Sequence, residues 1–213
     1  EEWGLVRQGG DEWLARGGEL LLPASRLALV GRHNAQNALA ALALVSSVAK
    51  ITPPVLAALA GFHGLPHRMQ RIAEQGGVLF VNDSKATTVA ATEAALAGID
   101  RPVVLIAGGD GKGQSFVPLR PAVDRACRHV LLVGRDAPLV ARGLAGAAAP
   151  VEDVATLDRA VGRAFEIVRP GDVVLLSPAC ASLDQFGSFG ERGERFAALV
   201  RERLAEGSPC ASA

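Results

Sequence analysis

Val78–Leu96, VLFVNDSKATTVAATEAAL, changes character twice within nineteen positions, and the fold is read outward from those changes. With the glycine before it, the opening Gly77-Val78-Leu79-Phe80-Val81 is apolar and without polar alternation, the pattern of a strand covered on both faces. From Val89 to Leu96 the composition becomes alanine-rich and helical. Asn82, Asp83, Ser84, Lys85, Ala86 and Thr87 therefore join the carboxyl end of a strand to the amino end of a helix. In α/β sheets ligands collect there, because the free N–H groups of the first helical turn favour anions. Two readings stay open: an anion site carried by Asp83, Lys85 and Thr87, or a helix capped by Ser84, Thr87 or Thr88 beside a solvated lysine.

The same alternation repeats downstream. Pro102–Ala107, His129–Val133 and Asp172–Leu176 read as further buried strands, and Pro118–Cys127, Pro138–Leu144, Leu157–Val168 and Glu191–Leu204 as helices with one apolar stripe each. This predicts an α/β fold, an open, mostly parallel Rossmann-like sheet with helices on both faces. Right-handed crossovers then place the loops at 82–88, 108–115, 134–136 and 177–189 on one crevice. The glycine loop Gly108-Gly109-Asp110-Gly111-Lys112-Gly113 is not a phosphate loop of the GxxxxGK[ST] type, since Ile106 and Gly113 stand where a glycine and a hydroxyl are required. Nor does it supply the third glycine of a dinucleotide fingerprint. What remains is a cradle presenting Lys112 to an anion, a carboxylate as readily as a phosphate. The loop SPACASLDQFGSF sets Ser177 and Ser182 among Leu183, Phe186 and Phe189, without the GxSxG elbow of a serine hydrolase.

Upstream, residues 1–29 read as short strands and turns, at Leu5-Val6, Trp13-Leu14 and Glu19–Leu22, too poor in apolar residues to close a core alone and suggestive of the tail of a larger domain. GRHNAQNALAALALVSSVAK follows, with Asn34 as an N-cap and Ala38–Ala49 as an almost wholly apolar, hence buried, helix. Asn34 and Asn37 share a face beside His33; a cap plus one satisfied amide is the simpler account of that spacing. Thr52-Pro53-Pro54 opens a second helix that Gly61 closes. Phe62–Arg71 is an irregular linker in which His67 and Arg68 follow a proline; a guanidinium there can fork onto phosphate or carboxylate, or simply be solvated. Gly207–Ala213 is small, polar and expected to be disordered.

The chain has 213 residues, 49% of them hydrophobic, and a formal net charge of zero. That size buries a sizeable core, and the charge balance lacks the footprint of a general nucleic-acid binder. No apolar run is long enough to span a membrane, so a soluble chain with neither nucleic acid nor membrane as partner is expected. Cys127, Cys180 and Cys210 have neither metal-ligand nor disulfide-framework spacing, which fits a reducing cytoplasm. Lysine occurs only at positions 50, 85 and 112, two of them in the strand-end loops.

GRHNAQNALAALAL, GLPHRMQ, VNDSKATTVAATEAAL, LIAGGDGKGQSF and LSPACASLDQFGSFGERGERF, in this order, resemble the Mur ligases of peptidoglycan synthesis over nearly the whole chain. The last three are similar to the branch that adds D-glutamate. The resemblance implies residues 1–64 as the carboxyl-terminal part of a central ATP-binding domain and 65–213 as a Rossmann-like D-glutamate-binding domain. It implies ATP-dependent amide formation between UDP-MurNAc-L-alanine and D-glutamate, with the phosphate loop and Mg2+ ligands outside this stretch, so that the chain alone is expected to be inactive and monomeric. By motif, Asn34 and Asn37 would contact ATP, His67 and Arg68 would lie at nucleotide and phosphate, and Asp83 and Lys85 would reach the ribose and phosphates. Arg68 and Lys85 carry the catalytic expectation. Thr87, Lys112, Ser182, Leu183 and Phe189 would form the D-glutamate pocket, and no residue here is implied as a metal ligand. A stand-alone α/β module binding a small anion or amino acid without chemistry is the alternative.

Overall fold

The computed structural model describes residues 2–29, 32–62 and 64–207. The expectations for Cys210 and for the tail beyond Gly207 lie outside them. The chain divides into two compact units, Glu1–Gly64 and Leu65–Ala213.

In the first unit, β1 (Trp3–Gln8), β2 (Asp11–Arg16) and β3 (Glu19–Pro23) form an antiparallel meander in that order. The pairs Gly9-Gly10 and Gly17-Gly18 make its turns, as their spacing suggests. α1 (Arg32–Ser46) and α2 (Pro53–Ala60) complete the unit, and Leu14, Leu22, Leu27, Ala35, Ala38 and Leu42 form its core. α2 has Thr52 at its N-cap and Gly61 at its C-cap, as read from the sequence. α1 departs from expectation twice. It already includes Arg32, so Asn34 lies in its first turn rather than capping it. It is also not buried all round: the stripe Ala35-Ala38-Leu42 faces the core, while Leu44 is 74% exposed. Alanine-rich composition sets helicity without saying which face is covered.

The second unit is a six-stranded sheet in the order β4-β5-β9-β6-β7-β8. Its strands are β4 (Gln70–Gln75), β5 (Val78–Asn82), β6 (Val103–Gly108), β7 (Cys127–Val133), β8 (Val151–Ala155) and β9 (Val173–Leu176). All neighbours are parallel except β4, which joins β5 in an antiparallel hairpin. Gly76 and Gly77, both at positive φ, turn that hairpin in two residues, a geometry that glycine adopts without a Cβ clash. Two strands depart from the sequence reading. The linker gives way to β4 at Gln70, and β8 was not foreseen, because VEDVA is short and polar at the sheet edge.

β5, β6 and β9 are buried on both faces, which is why they read as continuous apolar runs. On one face Phe80, Val104, Ile106, Leu131, Val174 and Leu176 pack against α6 (Leu157–Ile167) and α7 (Phe189–Ala205), with Phe80 and Phe165 stacked at 5.0 Å. α3 (Val89–Ala97), α4 (Arg120–Ala126) and α5 (Ala137–Gly143) supply the buried residues of the other face. Three helices start on hydroxyl caps: Thr88 accepts from Ala91 N, Thr156 from Arg159 N and Ser188 from Glu191 N. Because β5, β9, β6 and β7 run parallel, the loops that follow them leave from one edge of the sheet.

Candidate functional site

Asn34 and Asn37, with His33, belong to the first unit. The two amides share one face of α1, Asn37 Nδ2 donating to Asn34 Oδ1 at 3.5 Å, the outer limit for a hydrogen bond. Asn37 is exposed and Asn34 half-buried. His33 is half-buried, its Nδ1 buried without a hydrogen-bond partner among the described residues, and burial lowers its pKa.

His67, Arg68, Asp83, Lys85, Thr87, Lys112, Ser182, Leu183 and Phe189 belong to the second unit. Asn82, the last residue of β5, organises the first group from inside the protein. Its Oδ1 accepts from Ser84 N at 3.1 Å, and its Nδ2 donates to Gly193 O at 3.0 Å and lies 3.0 Å from His67 Nδ1. An amide nitrogen can only donate, so His67 Nδ1 is the acceptor and its proton sits on Nε2. A Cβ on Gly193 would come within 2.2 Å of that ring, so this position in α7 admits only glycine. His67 itself sits at φ +63°, its carbonyl accepts from Lys85 N at 3.1 Å, and its ring meets Phe189 edge-on at 6.1 Å. Lys85 Nζ lies 5.2 Å above the Phe189 ring, a cation–π contact. His67, Lys85 and Phe189 are thus one cluster, with the exposed Arg68 following His67 in the chain.

Asp83 is 7% exposed and bonded at both oxygens: Oδ1 accepts from Met69 N at 3.2 Å and Oδ2 from Ser177 Oγ at 2.9 Å. Ser177 Oγ lies 3.1 Å from Thr92 Oγ1, whose proton goes to Ser177 O. Burial raises the Asp83 pKa to about 6, against the opposing pull of Ser177, Met69 and Arg68.

The glycine loop and the loop after β9 are tied by a pair of hydrogen bonds, Asp110 N to Ala181 O at 2.9 Å and Ala181 N to Asp110 O at 2.8 Å. Gly109 makes the approach possible, since a Cβ there would stand 2.3 Å from Ala181 O. The tether joins the loop that carries Lys112, two residues on, to the loop that carries Ser182, one residue on. Lys112 is exposed at φ +50°, and its Nζ has no hydrogen-bond or ion-pair partner among the described residues. Thr87 is half-buried and Ser182 buried, and their hydroxyls likewise bond to none of the described residues. Leu183 is exposed at the rim of an open cavity shared with Gly134, Arg135, Pro138, Asp153, Ala155, Asp184 and Gln185.

Sequence reasoning missed Arg192. Only 2% exposed, its guanidinium donates to Ser84 Oγ at 3.0 Å, Ser84 O at 2.9 Å and Cys180 O at 3.1 Å, and Ser84 Oγ passes its own proton to Phe189 O at 2.8 Å. No carboxylate among the described residues lies within hydrogen-bonding distance of it, and burial lowers its pKa to about 10. It pins the loop after β5 to the loop after β9 from within α7. Nothing in FGERGERF marks it, because arginine on an amphipathic helix reads as solvated. Asn82 and Gly193 are equally silent in the sequence. Cys180, fully buried beside these groups, has its thiol pushed up to about 12 by burial.

A doubly wound sheet, with an acid, two lysines, hydroxyls and an arginine converging on the strand-end loops, is an α/β domain of the kind that holds small anionic ligands at its carboxyl edge. Comparison with known proteins gives the family: residues 67–180 match the family described as "Mur ligase, glutamate ligase domain", and the chain belongs to the Mur ligase family. It is 55% identical over 208 residues to the UDP-N-acetylmuramoylalanine–D-glutamate ligase of Aromatoleum aromaticum, covering 97% of this chain and 44% of that protein. The protein of the same name from Pseudomonas aeruginosa is 52% identical, over 94% of this chain and 45% of its own length. The chain thus spans less than half of these relatives. Among solved structures, MurF from Acinetobacter baumannii superposes with a TM-score of 0.65 at 20% identity, over 94% of this chain and 44% of that one. Mycobacterium tuberculosis folylpolyglutamate synthase, complexed with ADP and AMPPCP, does so with 0.65 at 18%, over 92% and 48%. At such identities the likeness is one of fold.

Proposed function

We propose that this chain is the carboxyl-terminal part of a cytoplasmic UDP-N-acetylmuramoyl-L-alanine:D-glutamate ligase, in which residues 1–64 end the central ATP-binding domain and residues 65–213 bind D-glutamate. The observation that carries the reading is 55% identity, over 97% of the chain, to a relative of that name. ATP supplies the γ-phosphoryl group that turns the L-alanyl carboxylate into an acyl phosphate, which the amine of D-glutamate attacks.

This chain's own residues would serve binding and orientation. Arg68, next to His67 in the chain, and Lys85, whose backbone N bonds the His67 carbonyl, are exposed cations that suit the phosphates and the phosphorylated carboxylate. Asn34, Asn37, His67 and Asp83 are assigned to the nucleotide. Lys112, Thr87 and Ser182 offer one ammonium and two hydroxyls with no partner among the described residues, a donor set for the D-glutamate side-chain carboxylate, with Leu183 and Phe189 as its apolar walls. The described residues hold no group of three or more His, Cys, Asp or Glu arranged for a metal ion. In a Mg2+-dependent reaction this chain's residues would place cations and neutral donors around the phosphates.

Binding by this chain tests the amino-acid half of the reading. Titration of the 15N-labelled chain with D-glutamate is expected to shift the amides of residues 87, 111–113 and 182, with L-glutamate and D-glutamine markedly weaker; shifts of equal size for all three would reject it. Turnover with UDP-MurNAc-L-alanine, ATP and D-glutamate is expected of the complete protein and not of this chain.

A further inference from the structure

We propose that Gln114 is a positioning residue that sets the spacing of the three loops forming the amino-acid pocket, an inference that rests on the function proposed above. Its side-chain Oε1 accepts from Val89 N at 3.1 Å and its Nε2 donates to Ala179 O at 2.6 Å, while its backbone N donates to Gly111 O at 3.0 Å. Val89 opens α3 two residues after Thr87, Ala179 lies three residues before Ser182, and Gly111 adjoins Lys112. One half-buried amide thus spans the loops that carry the ammonium and both hydroxyls. Among the described residues, no other side chain of the glycine loop bonds both the start of α3 and the loop after β9.

Each bond falls where the backbone needs it. Val89 N belongs to the first turn of α3, whose amides have no intrahelical acceptor, so Gln114 completes the cap that Thr88 begins at Ala91 N. Ala179 sits at φ +57° and Lys112 at +50°, left-handed conformations that residues with a Cβ keep only when their surroundings hold them. The Asp110–Ala181 pair joins two of the loops and leaves the start of α3 free. Arg192 bonds Ser84 and Cys180 and packs near Gly109, but it makes no hydrogen bond to the glycine loop among the described residues. Without Gln114 the Gly111-Lys112-Gly113 segment, held otherwise through Gly111 N on Asp136, loses the one side-chain link to α3 found among the described residues. A displacement on the order of 1 Å in a binding constellation is costly in affinity.

Gln114→Met in the complete ligase removes both side-chain bonds at nearly constant length and adds no charge. The KM for D-glutamate is expected to rise about tenfold, the KM for ATP to move less than about twofold, and the melting temperature to fall only slightly. Partial unfolding lowers kcat at unchanged KM, so the KM split separates positioning from bulk stability. Gln114→Glu keeps the acceptor for Val89 N and loses the donor to Ala179 O; it stands in should the methionine variant not fold, and is assayed at low and high salt to separate repulsion of an anionic substrate. A D-glutamate KM equal to wild type in the folded variant, at high salt for Gln114→Glu, overturns the proposal. A wild-type enzyme that does not use D-glutamate overturns the functional reading and this inference together, and that result is seen before any variant is made.

Discussion

The loops after β5 and β6 each carry one lysine from the same edge of the sheet, and they are built differently. In the loop after β5, Asn82, Asp83 and Ser84 are buried and bonded to Gly193, Met69, Ser177, Arg192 and Phe189, and Lys85 leaves that scaffold to rest against an aromatic ring. In the loop after β6, Lys112 is exposed between two glycines, in a left-handed conformation, with an ammonium that has no partner among the described residues. A network satisfied in the resting protein is preorganised, and its side chains also serve stability. An unpaired charge on a glycine segment contributes little to folding and is available to a ligand. Substitutions in the first loop should therefore register in melting curves, and those in the second in KM.

The largest effect is expected at Arg192, the strut of the first loop. Arg192→Met strands Ser84 O and Cys180 O in the interior, and should destabilise the second unit by about 3–5 kcal/mol in urea denaturation. A loss below about 1 kcal/mol would break the contrast, by making the guanidinium dispensable.

Asp83 comes next and supplies a pH dependence. Its folded-state pKa of about 6 lies above the usual 3.8, so the folded state holds the proton more tightly than the unfolded chain. The associated stability is fully present below about pH 3.8 and is lost as pH rises through about 6. A shift of about two units at about 1.36 kcal/mol each corresponds to about 3 kcal/mol. Asp83→Asn should remove this component, so the stability difference between variant and wild type, followed by denaturant titration, should grow in favour of the variant from pH 4 to pH 7. A difference that is flat with pH would show that the buried carboxylate is not strained.

The effect at Lys112 is expected to be the smallest in stability and confined to one substrate. Lys112→Ala should leave the melting temperature within a degree or so. In the complete ligase it should raise the KM for D-glutamate about ten- to hundredfold, the equivalent of about 1.5–3 kcal/mol for a charge-assisted hydrogen bond, with ATP nearly untouched. Discrimination against D-glutamine should narrow in parallel, since that substrate lacks the charge Lys112 would pair. A raised ATP KM with unchanged D-glutamate KM would move this lysine to the nucleotide and dissolve the division between the loops.

The same contrast explains what could be read in the sequence. The loop positions of Asp83, Lys85, Thr87, Lys112 and Ser182 follow from local pattern, because strand ends and helix starts are marked by apolar runs, caps and glycines. The parallel sheet was legible for the same reason in its buried strands, and β4 and β8 were not, because edge strands carry polar residues on an exposed face. Arg192, Asn82 and Gln114 were invisible as site residues. Their partners lie 108 and 12, 111, and 25 and 65 positions away, and only the folded topology brings such pairs together.

The thiol of Cys180 lies two residues from Ser182, fully buried and with its pKa pushed up to about 12. Such a sulfur is shielded from alkylating agents and from peroxide alike, since both attack a thiolate they can reach. Its rate of modification by iodoacetamide thus becomes a clock for the opening of the second unit. Under conditions where reclosing outpaces alkylation, that rate reads the free energy of opening directly, without denaturant, and a ligand that seats among the loops should slow the clock in proportion to its occupancy.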